Sequence, residues 1–158
     1  MNRTSLKLKA VGTAIVGLAV FSTSPSATAQ SNCKDAKGQV IQAFNGTDFV
    51  GPVTHAGDLT GSARAVFFGA PFPTNDPTTS SFTNEITITT HQGQLKARFV
   101  ILYDNATGVT ASLGRIDPAA STGRFAGATG HLFLDGTTIS ASPFTVQLEL
   151  SGKVCYAR

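Results

Sequence analysis

From Phe144 to Tyr156 the chain alternates: Phe144, Val146, Leu148, Leu150, Val154 and Tyr156 fall on one side, and Thr145, Gln147, Glu149, Ser151 and Lys153 on the other. A period of two belongs to an extended strand with one buried face. Cys155 lies on the polar side, so a bridge from it should run on the face opposite Leu148 and Leu150. The second of the chain's 2 cysteines is Cys33. A Cys33–Cys155 disulfide would draw the first and last segments together, as a closed all-β domain does with its terminal strands. In the loop-entropy model a cross-link over so long a loop adds about 4 to 5 kcal/mol.

The first residues read as an address. Arg3, Lys7 and Lys9 precede an apolar run, Ala10 to Phe21, too short to span a bilayer, and Ala27-Thr28-Ala29 supplies the small residues a signal peptidase requires. The expectation is a signal peptide over 1–29 and one domain over 30–158, secreted or periplasmic, where a disulfide persists. Ala29-Gln30-Ser31-Asn32 puts no small residue directly before Cys33, so no lipid or other membrane anchor is expected. The whole chain has 12 Lys and Arg against 9 Asp and Glu. The leader holds the three in excess, and the neutral remainder lacks the charge that would attract nucleic acid or an anionic membrane.

The remainder reads as strands. Phe82 to His91 and Leu95 to Ile101 form a hairpin if Gln92-Gly93 turns the chain; Ile86, Ile88, Leu95, Ala97, Phe99 and Ile101 then share one side. In that register Ile88 faces Ala97, Ile86 faces Phe99 and Thr87 faces Arg98. Gln39 to Phe44, Leu59 to Phe68, Val109 to Ile116, His131 to Leu134 and Thr137 to Ala141 also have β composition, the last two joined by a tight turn at Asp135-Gly136. Gly69 to Pro77 is expected to be a loop, because its prolines cannot donate to a ladder. Asp117 to Gly130 is a second irregular segment. About eight strands without a helix point to an antiparallel barrel, with a β-sandwich satisfying the same alternation.

Thr122-Gly123-Arg124-Phe125-Ala126-Gly127-Ala128-Thr129-Gly130, followed by Leu132, Phe133 and Leu134, resembles the glycine-rich turn before a late strand in the allene oxide cyclase and dirigent group of small β-barrels. Independently of that likeness, the glycines allow a bend and Phe125 can anchor the loop in the core. The resemblance implies a calycin-type eight-stranded barrel, sometimes a homo-oligomer, whose open end binds a small apolar molecule. It also implies ring closure or coupling of a reactive substrate, but none of the group's functional acids matches a residue here.

The chemical signatures are sparse. His55, His91 and His131 lack the spacing of a zinc motif, and no metal or cofactor is expected. No Gly-x-Ser-x-Gly elbow or phosphate-binding glycine loop is present. His55 with Asp48 and Asp58, in one glycine-rich segment, is the candidate catalytic group: a histidine held by a carboxylate can carry protons near neutral pH. Glu85, Arg98 and Tyr103 are the candidate ligand-binding residues. If the even face of the hairpin fills the core, Glu85 and Arg98 lie outside as a surface ion pair. The reading with fewest assumptions is an exported, non-enzymatic barrel for a small apolar ligand. Alternatives are an isomerase or cyclase like the resembled group, or a structural envelope protein.

Overall fold

The structure, a computed structural model, describes residues 32–157; the expected signal peptide lies outside them. Eight antiparallel strands form a closed barrel in sequence order. They are β1 (Asn32–Phe44), β2 (Phe49–Thr54), β3 (Gly61–Pro73), β4 (Thr79–Thr90), β5 (Gly93–Asp104), β6 (Val109–Ile116), β7 (Thr129–Ala141) and β8 (Phe144–Tyr156). β1 closes on β8 from Asn32↔Tyr156 to Ala43↔Thr145. The barrel therefore has no free sheet edge.

The alternation that marks β8 as a strand also decides which side chains fill the barrel. Val146, Leu148, Leu150 and Val154 are buried inside with Val40, Leu95, Phe99 and Leu132. Cys155 sits on the outer side, opposite Cys33, and the two are bonded across the β1–β8 seam. The disulfide joins the two terminal strands, as the sequence leads one to expect.

Four details depart from the sequence reading, each for a local reason. Phe49–Thr54 is a strand despite Gly51-Pro52: the β1–β2 pairs flank these two residues and skip them, as the missing proline donor requires. Asp135-Gly136 lies inside β7, where no turn occurs. A Cβ on Gly136 would stand 2.0 Å from the Gln147 carbonyl oxygen, so this glycine lets β8 approach closely. The β4–β5 hairpin turns at His91-Gln92, which pairs Ile86 with Ala97, Ile88 with Leu95 and Thr87 with Lys96. That register is shifted by two from the expected one, so every side chain keeps its face. Finally, β3 resumes pairing beyond an irregularity, Phe72↔Ser81 and Pro73↔Ser80, so half of the expected proline loop belongs to a strand.

The two ends of the barrel differ. At one end lie the disulfide, the β2–β3 and β4–β5 connections and residues 117–128. The last segment lies along the start of β5, with Asp117 N–H donating to Lys96 O at 2.8 Å, Thr122 N–H to Gln94 O at 2.8 Å and Arg124 N–H to Gln92 O at 3.0 Å. It drives Phe125 fully into the core. This end is plugged; the other is open.

Candidate functional site: a cavity at the open end

The inward positions near the open end of β1–β8 do not meet, and they leave a cavity of about 320 Å³. An eight-stranded barrel is just wide enough for its own side chains or for one small ligand. Here both regimes coexist. Below the cavity Phe99 fills the bore, taking the space that Gly114 leaves on β6, where a Cβ would come within 2.4 Å of its ring. Above it the mouth is bordered by Phe82, Phe67, Phe49, Phe144 and Tyr103, each ring near the next with centroids 5.9, 5.5, 5.8 and 6.2 Å apart. These separations suit tilted and edge-on aromatic contacts.

The wall between collar and floor is mostly hydrocarbon: Ala65, Ile86, Ile101, Leu134, Val146 and Leu148. Four polar side chains interrupt it. Ser112 Oγ donates to Leu134 O at 2.8 Å and Thr110 lies beside it on the same face of β6. Gln42 and Asn84 are both buried, and Gln42 Nε2 and Asn84 Oδ1 find no hydrogen-bond partner. A buried amide left without partners costs about 1 to 3 kcal/mol. The lining therefore contains an unused donor and an unused acceptor in an apolar chamber, with no carboxylate, imidazole or guanidinium among its residues.

The candidate residues read from the sequence are dispersed. Tyr103 belongs to the collar, its hydroxyl 3.2 Å from Thr138 Oγ1. Glu85 and Arg98 are register partners on the outer face, yet Glu85 pairs with Lys96 Nζ at 3.0 Å. The even face of the hairpin fills the core, and neither residue reaches the cavity. Asp48 and Asp58 stand at opposite ends of β2 and do not converge. Asp48, beside the open rim, is buried against Arg64, whose Nη2 is 2.6 Å from Oδ2. His55, at the far end of β2, is exposed with φ 55°.

Asp58 belongs to the plugged end. It accepts from Lys34 Nζ at 2.9 Å and Tyr156 OH at 3.1 Å, with Arg124 Nη2 at 3.3 Å. Lys34's donation holds the Asp58 carboxyl below the usual carboxylate range; partial burial opposes this, and the Tyr156 bond and the charges of Arg124 and Lys34 add to it. Burial, followed by the charge of Asp58 and its hydrogen bond, pushes the Tyr156 phenol up. Lys34 and Arg124 also lie over the Tyr156 ring, 5.7 and 5.0 Å from its centroid. This cluster ties the first strand, the last strand and the 117–128 segment together. Its role in the geometry is fastening.

Sequence reasoning named Tyr103 but missed Gln42, Asn84 and the four phenylalanines of the collar. The amides had a signal, since each is a polar residue on the apolar face of a strand. The collar had none, because its rings come from five strands and meet only once the barrel closes. No family model matches the chain, and no curated protein or solved structure matches it either.

Proposed function

We propose that this protein is exported and holds one small, neutral, mostly apolar molecule in the open end of its barrel. The observation that carries the reading is the pair of unpartnered buried amides, Gln42 and Asn84, in a cavity otherwise walled by aromatic and aliphatic side chains. Such a chamber is costly to leave empty and is chemically selective: apolar area supplies affinity, and a few placed polar groups supply orientation. Gln42 Nε2 and Asn84 Oδ1 have almost no accessible surface, so a side-chain rotation would have to turn an amide toward a ligand hydroxyl or carbonyl to satisfy it. A ligand carboxylate would enter without a counter-ion, which is expensive in a low-dielectric site.

The lining suits retention more than chemistry. Acid–base catalysis of ring closure needs a group that exchanges protons near the reacting atoms. Among the lining residues the one acidic or basic side chain is the Tyr103 phenol, and its hydroxyl is engaged with Thr138 Oγ1 at 3.2 Å. Export is supported by the leader pattern and by a disulfide compatible with an extracellular location.

The test is native mass spectrometry of protein purified from its own host, followed by titration of the emptied protein with decanol, decane and decanoate. A retained small molecule, and decanol bound more tightly than decanoate, is the expected result. Protein that arrives empty and takes up none of the three probes would overturn the reading.

A further inference from the structure

The outer face of β5–β8 carries a charge pattern that one copy of the chain leaves unsatisfied. Cross-strand register places Arg98 beside Arg115, Arg115 beside His131, and His131 beside Lys153. The next outward row toward the open end is apolar: Val100 beside Leu113, and Leu113 beside Phe133. Val100 is 57%, Leu113 50% and Phe133 40% exposed. One row further on, Leu102 stands beside Ala111 on β5 and β6, and Asp135 beside Glu149 on β7 and β8.

Like charges directly opposite one another destabilise a sheet. Among the described residues Arg98, Arg115 and Glu149 form no ion pair, and Lys153 has a long one, 3.8 Å to Asp35. On β7 and β8 a basic pair, His131 and Lys153, and an acidic pair, Asp135 and Glu149, thus flank the apolar row on a barrel that has no edge through which to associate. Exposed apolar side chains in such a row, flanked by charge, mark an interaction surface.

We propose that this face is the interface between two copies of the chain. A two-fold axis tangent to the barrel at Phe133 and running along the apolar row lays Leu113 and Phe133 on their counterparts and carries His131 and Lys153 onto the other copy's Asp135 and Glu149, while Val100, two strands round the closed barrel, turns away. Glu149 then meets Lys153 of the second copy, and Asp135 meets the side of the second copy that holds His131 and Arg115. An axis along β7 would instead bring Arg115 to Lys153 and His131 to His131, so the charges select one orientation. That arrangement is isologous and closes at two copies. An anionic bilayer would suit the basic row and repel the acidic one, which favours a second copy over a lipid surface.

The experiment is sedimentation equilibrium of protein purified from cells expressing the full chain, across a hundredfold range of concentration at low and high salt. A dimer that weakens with salt is expected. Leu113→Lys should raise its dissociation constant at least tenfold, as for a residue near the centre of an interface. Glu149→Lys and Lys153→Glu should each weaken it, and the double exchange should restore it, which a merely structural role for either residue would not do. Thermal unfolding of each variant establishes that the barrel is intact. Five outcomes would overturn the proposal: a monomer at every concentration, a dimer indifferent to Leu113→Lys, a double exchange that restores nothing, assembly beyond two copies, or association with vesicles of phosphatidylcholine and phosphatidylglycerol in place of self-association. None of these depends on what the cavity holds.

Discussion

Asn84 and Asp58 show how single polar side chains divide between use and structure in this barrel. Asn84 stands between Phe82 and Ile86 on the inward face of β4, where its Oδ1 is buried without a partner. Replacing it with leucine removes the orphan and extends hydrocarbon into the cavity, so Asn84→Leu should stabilise the ligand-free protein by about 1 kcal/mol in urea unfolding. It should also weaken binding of an oxygenated probe while sparing a hydrocarbon one. A destabilised variant would mean the amide is already satisfied. Asp58 has the opposite balance, with every partner supplied by the chain. Its folded-state pKa lies below the unfolded value, so its contribution is present above the unfolded pKa, about 4, and is lost as pH falls through the folded one. Asp58→Asn should therefore cost about 1 kcal/mol near neutral pH and nothing once the wild-type carboxyl is protonated. Urea midpoints of both proteins measured between neutral pH and strong acid would converge; parallel curves would remove Asp58 from the acid sensitivity.

At the scale of the strand, glycines and prolines decide where sequence periodicity misleads. β8 is legible because its inward set is unbroken from Phe144 to Leu150. β2 is not, because Gly51-Pro52 interrupts the alternation within a glycine-rich segment, although the chain runs straight through it, pairing to β3 at Pro52↔Ser62. β7 reads as two strands because Asp-Gly favours tight turns in the absence of a neighbour, and the neighbour here is β8 at van der Waals distance. The count of eight survives because one strand is missed and another divided. The site is less legible than the fold for the same reason: a strand's faces are local, whereas a cavity depends on register between strands far apart in sequence. Gly136→Ala tests this account of β7. The new methyl would meet the Gln147 carbonyl, and separating two central strands should cost about 3 kcal/mol. Substitution at a true turn glycine would leave the strand pairing intact, so a loss of amide protection confined to β7–β8 identifies the close approach.

The whole molecule is an up-and-down barrel whose closure joins its first strand to its last, and this seam sets how it folds and how it is stabilised. Every other strand pair joins chain neighbours, while β1–β8 must wait until residues 122 positions apart meet. Non-local pairing of this kind slows folding, since chain entropy is lost before contacts compensate. The Cys33–Cys155 bond removes that search from the unfolded chain. It adds little to the finished barrel, in which β1 and β8 already pair along their lengths and Lys34, Asp58, Arg124 and Tyr156 fasten the same end. Replacing both cysteines with serine should therefore leave a folded barrel with unchanged circular dichroism, less stable by about 4 kcal/mol. For a domain of this size that lowers the Tm by roughly 15 °C. Because the bond acts on the unfolded ensemble, the loss should appear as slower refolding, with the unfolding limb of the chevron nearly unmoved. Faster unfolding with unchanged refolding would show instead that the bond holds the native seam shut, and that the plugged end alone is too weak to keep the barrel closed.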